Sequence, residues 1–173
     1  LLVELSAAVA QAAMDSGVAT RPIADMGAYR DKLAQFVYRT SLFMKPVYDR
    51  ARSDKQRVVY AEGEEEVVLQ AVQNVIDEGV AFPILIGRPD VIEARIERLA
   101  LRMRAGVDFE ITNINDDPRF NEYWQYYHEM TGRKGVTVAA AKNLMRSRPT
   151  LIAAVMVARG EADAMLSGLV GRF

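Results

Sequence analysis

The stretch Arg57-Val-Val-Tyr-Ala-Glu-Gly-Glu-Glu-Glu-Val-Val-Leu69 decides how this chain folds. It is a β-branched run that ends at a glycine turn and leads directly into an acid-rich helix start. Further along, Pro83-Ile-Leu-Ile-Gly87 is a second short apolar run that also ends at glycine. Strand, helix and strand in this order predict a βαβ unit with parallel strands. Because both strands end at the same edge of the sheet, we expect a ligand to bind there.

Composition limits the classes of protein to which the chain can belong. It has 173 residues, of which 50% are hydrophobic, enough for one sizeable core. The formal net charge is -1, so we expect no nucleic acid and no membrane surface as partner. Cysteine is absent, which excludes disulfides and thiol nucleophiles and favours a reducing, cytoplasmic compartment. The longest apolar run, Leu151 to Ala158, is far shorter than the roughly 18 residues of a membrane span.

Two helical parts precede the βαβ unit. Residues 1–14 have an amphipathic helical pattern, and residues 15–52 begin with a turn and continue as a helical connector. An apolar stripe runs along the connector, and Pro46 is expected to kink the helix or to end it after Lys45. Two roles are open for the stripe: packing on its own domain, or bridging two domains or two subunits. Its members are Met26, Tyr29, Leu33, Phe36, Phe43 and Val47.

Residues 53–173 are predicted to form the compact α/β part. The helix after the first strand is expected to bury two adjacent rows of side chains that together form one face. These rows are Val67, Ala71 and Val75 beside Val68, Val72 and Ile76. A third strand is predicted from Phe109 to Ile114. Because the chain opens on Leu1 and stops at Phe173, just after a strand-like segment, we expect a fragment of a longer protein.

Four carboxylates crowd the start of the first helix of this part: Glu62, Glu64, Glu65 and Glu66. Anionic groups are favourable at a helix N-terminus, so we interpret them as structural caps. The same charges would repel a phosphate, so the glycine turn beside them does not predict a nucleotide site. We assign no catalytic residue to this segment.

Two later segments carry aromatic and basic side chains. A helix from Asp117-Pro118 to Gly132 has an aromatic stripe, which is more typical of a core than of a base-stacking surface. The only histidine of the sequence, His128, has no second histidine or cysteine to join it, so we predict no metal site. The turn Gly132-Arg-Lys-Gly-Val-Thr137 presents cations that suit phosphate oxygens. The turn Ser167-Gly-Leu-Val-Gly-Arg172 is a second place where a ligand can meet the sheet edge.

Five segments in order resemble the phosphate acetyltransferase family. They are Tyr60-Ala-Glu-Gly-Glu-Glu-Glu-Val-Val68, Gly79-Val-Ala-Phe-Pro-Ile-Leu-Ile-Gly87, Asp117-Pro-Arg-Phe-Asn-Glu-Tyr123, Arg133-Lys-Gly-Val-Thr137 and Gly160-Glu-Ala-Asp-Ala-Met-Leu-Ser-Gly168. The resemblance spans about residue 55 to the end and implies an α/β fold, a parallel sheet with flanking helices, preceded by N-terminal helices. It also implies that residues 53–173 are the first half of the family's domain, so that the sheet is incomplete.

One departure refines the resemblance. Active acetyltransferases continue after the Ser-Gly turn with a histidine and threonines, whereas this chain has Leu169-Val-Gly-Arg-Phe173. With Ala12-Ala-Met-Asp-Ser-Gly-Val-Ala-Thr-Arg-Pro-Ile23 and Met44-Lys-Pro-Val-Tyr48, the chain resembles the large bacterial NADP-dependent malic enzymes. By that resemblance, residues 1–14 are the tail of the malic catalytic portion and residues 15–52 connect it to the acetyltransferase-like domain. The implied parent oxidatively decarboxylates malate to pyruvate with NADP and Mg²⁺ or Mn²⁺, using residues outside this chain.

The resemblance further implies that the appended domain senses acetyl-CoA as an allosteric inhibitor and forms a homo-oligomer. Its partner within the same chain would be the malic enzyme catalytic domain. Arg133, Lys134 and Arg172 are our candidates for binding the phosphates of acetyl-CoA, on charge and position alone. Two alternatives stay open: an active phosphate acetyltransferase that makes acetyl phosphate from acetyl-CoA and phosphate, and a purely structural oligomerisation module.

Overall fold

The computed structural model describes residues 2–169, with side chains described except at positions 2 and 34–43. The chain divides into two compact units, Leu1–Arg50 and Ala51–Phe173. Across the described range, no helix combines the length and the apolar character needed to cross a bilayer.

The first unit is built on two helices, α1 (Leu2–Asp15) and α2 (Met26–Ser53), and α2 runs past the boundary between the units. Of the two expectations for Pro46, the one that the helix ends after Lys45 is wrong, because α2 continues through Pro46 to Ser53. Proline removes one backbone donor at a cost of about 3 kcal/mol, and the other turns of this 28-residue helix retain their hydrogen bonds.

The apolar stripe of α2 is only partly covered. Met26, Tyr29 and Leu33 are half-buried, whereas Val47 is 57% exposed. The stripe positions Phe36 and Phe43 lie outside the described side chains. Val47 is therefore mostly uncovered in the described part of the chain, and the choice between the two roles of the stripe stays a prediction.

The second unit contains a four-stranded sheet in which every pairing is parallel. Its strands are β1 (Gln56–Tyr60), β2 (Ala81–Ile86), β3 (Glu110–Thr112) and β4 (Ala164–Leu166), in the order β3-β2-β1-β4. The helices are α3 (Glu66–Glu78), α4 (Pro89–Arg98), α5 (Phe120–Thr131), α6 (Val138–Ser147) and α7 (Pro149–Ala158). This arrangement confirms the predicted α/β class and the parallel βαβ unit.

Both faces of the sheet are buried. Successive side chains of a strand point to opposite faces, so alternate residues of one strand pack against different helices. Ile84 and Ile86 of β2 belong to a cluster with buried residues of α5, α6 and α7, such as Tyr123 and Met156. Leu85 belongs instead to a cluster with α3 and α4 residues, among them Leu69. Helices therefore cover the sheet on two sides, as continuous apolar strands require.

The orientation of α3 differs from the prediction. Val67, which was expected to be buried, is 62% exposed, whereas Leu69 is fully buried with Val72. Three apolar residues in succession at 67–69 made the buried face ambiguous from spacing alone. A polar side chain helps to fix the orientation of the helix. The Oε1 atom of Gln73 accepts hydrogen bonds from the backbone N–H groups of Arg102 and Met103, at 2.7 and 3.1 Å.

The aromatic stripe of α5 lies mostly in the core, as predicted. Tyr123 is 1% exposed, and Phe120, Trp124 and Tyr127 pack against the same cluster. Met130 departs from the prediction because it is exposed at the end of the helix. Most aromatic side chains of the stripe therefore pack in the core beside the sheet.

Candidate functional site

A cavity of about 510 Å³ opens at the carboxyl edge of the sheet. Its walls come from the segments that follow β1, β2 and β3 and from the start of α7. The polar side chains in these walls are Glu62, Glu64, Glu65, Arg88, Asn115 and Thr150. The position is the one expected from the two glycine-terminated strands, since loops of neighbouring parallel strands meet at this edge.

Gly63 brings the loop after β1 against the end of β2. Its N–H donates to the Ile86 carbonyl at 3.1 Å. A Cβ atom at Gly63 would lie 2.8 Å from that carbonyl oxygen and 2.8 Å from the Cβ atom of Leu85. The glycine of the sequence motif is therefore required by close approach of two backbones, which shapes one wall of the cavity.

Glu64 joins the loop after β1 to the loop after β2. Its two carboxylate oxygens accept from Nε and Nη2 of Arg88 at 2.9 and 2.8 Å, and the Arg88 backbone N–H donates at 2.9 Å. The hydrogen bond from the Arg88 side chain is the main reason that the pKa of Glu64 lies below its ordinary value. The Glu64 carboxylate is therefore charged and compensated beside the cavity.

Glu62 joins the same loop to the segment after β4, in the opposite direction along the sheet edge. Its carboxylate accepts from the backbone N–H groups of Gly168, at 3.1 Å, and Leu169, at 3.0 Å. The hydroxyls of Ser167 and Thr150 lie 3.2 Å apart and tie this turn to the start of α7. Glu62 is thus part of a connection between three segments.

The prediction that these acids cap α3 is wrong for Glu62 and Glu64. The helix has Glu65 as its N-cap residue, without a side-chain hydrogen bond to the backbone, and Glu66 in its first turn. Glu62 and Glu64 lie in the turn before the helix, and their carboxylates bind the neighbouring loops at Gly168 and Arg88.

A second, shallower groove of about 300 Å³ lies on the other side of Glu62. It is lined mainly by apolar residues of β1, α3 and β4: Tyr60, Val67, Val68, Ala71, Leu166 and Leu169. Leu166 and Leu169 are 54% and 51% exposed. Glu62 therefore belongs to the walls of both the cavity and the groove.

A polar cluster that the sequence did not predict connects α5 to the segment before β4. Glu161 accepts from the Tyr123 hydroxyl at 2.6 Å and from Arg159 at 2.6 Å, and Arg119 lies 3.1 Å away. Burial acts to raise the pKa of Glu161, but hydrogen bonds from Tyr123 and Arg159 outweigh it and lower that pKa. Burial and the Glu161 carboxylate together raise the pKa of the Tyr123 hydroxyl. Fixed partners and half-burial give this cluster a structural role.

Comparison with solved structures agrees with the fold. A phosphotransacetylase from Streptococcus pyogenes superposes with a TM-score of 0.63 at 25% sequence identity, over 75% of this chain and 39% of that one. The family profile described as Phosphate acetyl/butaryl transferase matches residues 42–173. The chain belongs to this transferase family. Both the predicted family resemblance and the phosphate acetyltransferase-like fold are therefore confirmed.

Relatives of known name fall into two groups. The NADP-dependent malic enzyme of Salmonella typhimurium is 57% identical over all 173 residues, which are 23% of its own length. The phosphate acetyltransferase of Nitratidesulfovibrio vulgaris is 35% identical over 129 residues, which are 75% of this chain and 18% of that protein. The chain therefore spans about a quarter or less of these relatives, and the resemblance to malic enzymes is confirmed.

Two of the three predicted phosphate contacts, Arg133 and Lys134, lie outside the cavity walls. Arg133 and Lys134 are exposed on a 3₁₀ turn, Gly132–Lys134, between α5 and α6, and neither lines the cavity. Arg172 lies outside the described residues. These three assignments therefore stay predictions.

His128 lies on α5, where its ring would be 3.4 Å from a Cβ atom placed at Gly132. Between residues 2 and 169, no group of three or more acidic or histidine side chains is placed to hold a metal ion.

Proposed function

We propose that this transferase-family unit is part of a malic enzyme, in which it binds acetyl-CoA as an allosteric inhibitor and joins subunits into a homo-oligomer. The observation that carries the proposal is the 57% identity to NADP-dependent malic enzyme over the whole chain. Under it, the full protein oxidatively decarboxylates malate to pyruvate in the cytoplasm, with NADP and Mg²⁺ or Mn²⁺, in a catalytic domain of the same polypeptide.

The cavity at the sheet edge supports the binding of a small acyl compound. Ala61, Ile86 and Ile114 give it apolar walls, and polar groups stand at its rim. Apolar walls with few polar groups are typical of ligand sites. The charge of Glu64 is compensated by Arg88 and that of Glu62 by two N–H groups, which offsets the repulsion of phosphates that an acid-rich turn otherwise creates.

The phosphates of acetyl-CoA are proposed to bind to Arg133, Lys134 and Arg172. Exposed cations attract phosphate oxygens, and the first two lie on a turn that ends at Gly135 with a φ of +90°. Neither Arg133 nor Lys134 lines the cavity, so the acyl end and the nucleotide end of this extended ligand would be held by different elements.

Regulation at a distance requires that acetyl-CoA bind one arrangement of the whole protein better than another. Differential affinity of this kind amounts to about 1–3 kcal/mol in typical allosteric proteins. Helix α2 is the element proposed to contact a neighbouring domain or subunit, since Met44, Val47 and Tyr48 near its end are exposed apolar side chains.

The test is truncation of the full-length protein after about residue 53. Malate turnover should persist, while inhibition by acetyl-CoA should disappear because the proposed effector site has been removed. Full-length wild-type protein, assayed in parallel, serves as the control. Undiminished inhibition of the truncated protein by acetyl-CoA would refute the proposal.

An active phosphate acetyltransferase is the second candidate, favoured by the 35% identity to the N. vulgaris enzyme. It requires the full-length protein to form acetyl phosphate from acetyl-CoA and inorganic phosphate, which a coupled assay detects. A purely structural module requires that no acetyl-CoA binds. Isothermal titration calorimetry of full-length protein with acetyl-CoA separates that alternative from the other two.

A further inference from the structure

The turn after β4 is held at its backbone by a side chain from another strand end. Gly168 and Leu169 present consecutive N–H groups, and both donate to the carboxylate of Glu62. Hydrogen bonds from N–H groups to a carboxylate are roughly twice as strong as neutral ones. Gly168 has a φ of +121°, a backbone conformation that other residues rarely adopt, so the turn has a shape of its own.

The same turn has two further anchors. The N–H of Ala61 donates to the Leu166 carbonyl at 3.0 Å, and the hydroxyls of Ser167 and Thr150 lie 3.2 Å apart. Of these contacts, the Glu62 carboxylate alone holds residues 168 and 169, beyond the last pairing of β4. The position of the turn past Ser167 therefore depends on Glu62.

Glu62 also stands between two concave surfaces. It lines the cavity of about 510 Å³ together with Thr150, and it lines the groove of about 300 Å³ together with Leu166 and Leu169. A shift of the turn would change the shape of both surfaces at once, because Ser167 of the turn lines the groove and its hydroxyl partner Thr150, at the start of α7, lines the cavity.

We propose that Glu62 is a positioning residue: it holds the Ser167–Leu169 turn in the place where the cavity and the groove form adjoining parts of one acyl-CoA-binding cleft. The proposal rests on acetyl-CoA binding by this unit, as argued above. The N-cap residue of α3 is Glu65, whereas the Glu62 carboxylate binds the turn after β4.

Hydrogen exchange at residue resolution in the full-length protein tests the positioning directly. Glu62→Ala should speed exchange at the Gly168 and Leu169 amides at least tenfold, and Glu62→Gln, which keeps one acceptor oxygen, should give a smaller increase. Glu129→Gln is the matched control, because Glu129 is an exposed glutamate of α5 that lines neither the cavity nor the groove, and it should leave both amides unchanged.

Calorimetry with acetyl-CoA tests the consequence for binding. Glu62→Ala should weaken binding about tenfold, with partial rescue in Glu62→Gln and no change in Glu129→Gln. Unchanged exchange in both Glu62 variants would overturn the positioning role. Faster amide exchange with an unchanged affinity for acetyl-CoA would overturn the proposed effect on binding, because a purely structural role of Glu62 predicts that result. Absence of binding by the wild type would refute the proposed function instead, while the exchange data would still report on the turn.

Discussion

Replacing Gly63 by alanine should displace the loop that forms one wall of the cavity. The added Cβ atom would lie 2.8 Å from the Ile86 carbonyl oxygen and 2.9 Å from the Ile86 nitrogen, both backbone atoms. Ordinary contact begins at 3.4 Å, so the two segments must separate by about 0.6 Å, the difference between 3.4 and 2.8 Å. Rotation of a side chain cannot relieve this contact, because the added Cβ atom would meet backbone atoms of Ile86.

The cost follows from two effects. Overpacking a tight site destabilises by about 1–3 kcal/mol. The separation also lengthens the hydrogen bond from Gly63 N–H to Ile86, whose net contribution is about 1 kcal/mol. We expect a loss of about 2 kcal/mol in the free energy of unfolding, which corresponds to roughly 4–8 °C in Tm for a chain of this size.

Thermal unfolding of the Gly63→Ala protein measures this loss, with Gly132→Ala as the matched control. Gly132 has helical φ and ψ values of -55 and -40°, and a Cβ atom there would meet His128 at an ordinary 3.4 Å. The control should be neutral or stabilising by up to about 1 kcal/mol. A Gly63→Ala protein with wild-type Tm would refute the claim that close backbone approach shapes this wall.

Three further predictions address the core, the polar cluster and the proposed phosphate contacts. Leu69→Ala should cost about 2–5 kcal/mol because Leu69 is fully buried, whereas Val67→Ala at a 62% exposed site should cost less than about 0.5 kcal/mol; equal costs in urea unfolding would contradict the orientation of α3. Glu161 has a pKa lowered by folding, so its stabilisation is present above the unfolded value of 4.5 and is lost as the pH falls through the lower folded value. The Tm advantage of wild type over Glu161→Gln should therefore shrink below about pH 4.5, and an advantage independent of pH would contradict this. Arg133→Ala should weaken acetyl-CoA binding about tenfold, as loss of a charge-assisted bond of about 1.5 kcal/mol implies, while Lys45→Ala should not; an unchanged dissociation constant would remove Arg133 from the candidates.

The fold was predictable because the pattern that encodes it is local. Two β-branched runs ending at Gly63 and Gly87, with an amphipathic helix between them, are enough to predict parallel strands and a ligand edge. The length of α2 was less predictable, since a single Pro46 removes one hydrogen bond and the rest of a long helix compensates.

The roles of the polar residues at the site were not predictable from local patterns. Glu62 and Glu64 have the spacing of helix caps, and only the placement of β2 and β4 on either side of β1 gives them other partners. The bond between Gln73 and residues 102–103 likewise joins positions distant in sequence, and it helps to fix which face of α3 is buried. Asn115 carried a weak signal, because it directly follows the predicted strand Phe109 to Ile114.

Glu62 and Glu64 bind loops on opposite sides of β1, and this makes the loop after β1 intolerant of changes in length. Surface loops usually accept insertions and deletions. Here the insertion or deletion of one residue between Ala61 and Glu65 would move both carboxylates. Glu64 would then lose its bonds to Arg88, and Glu62 its bond to Gly168. Homologous chains that bind a ligand at this sheet edge should therefore vary at exposed positions such as Val67. They should keep the same number of residues in the loop between Ala61 and Glu65.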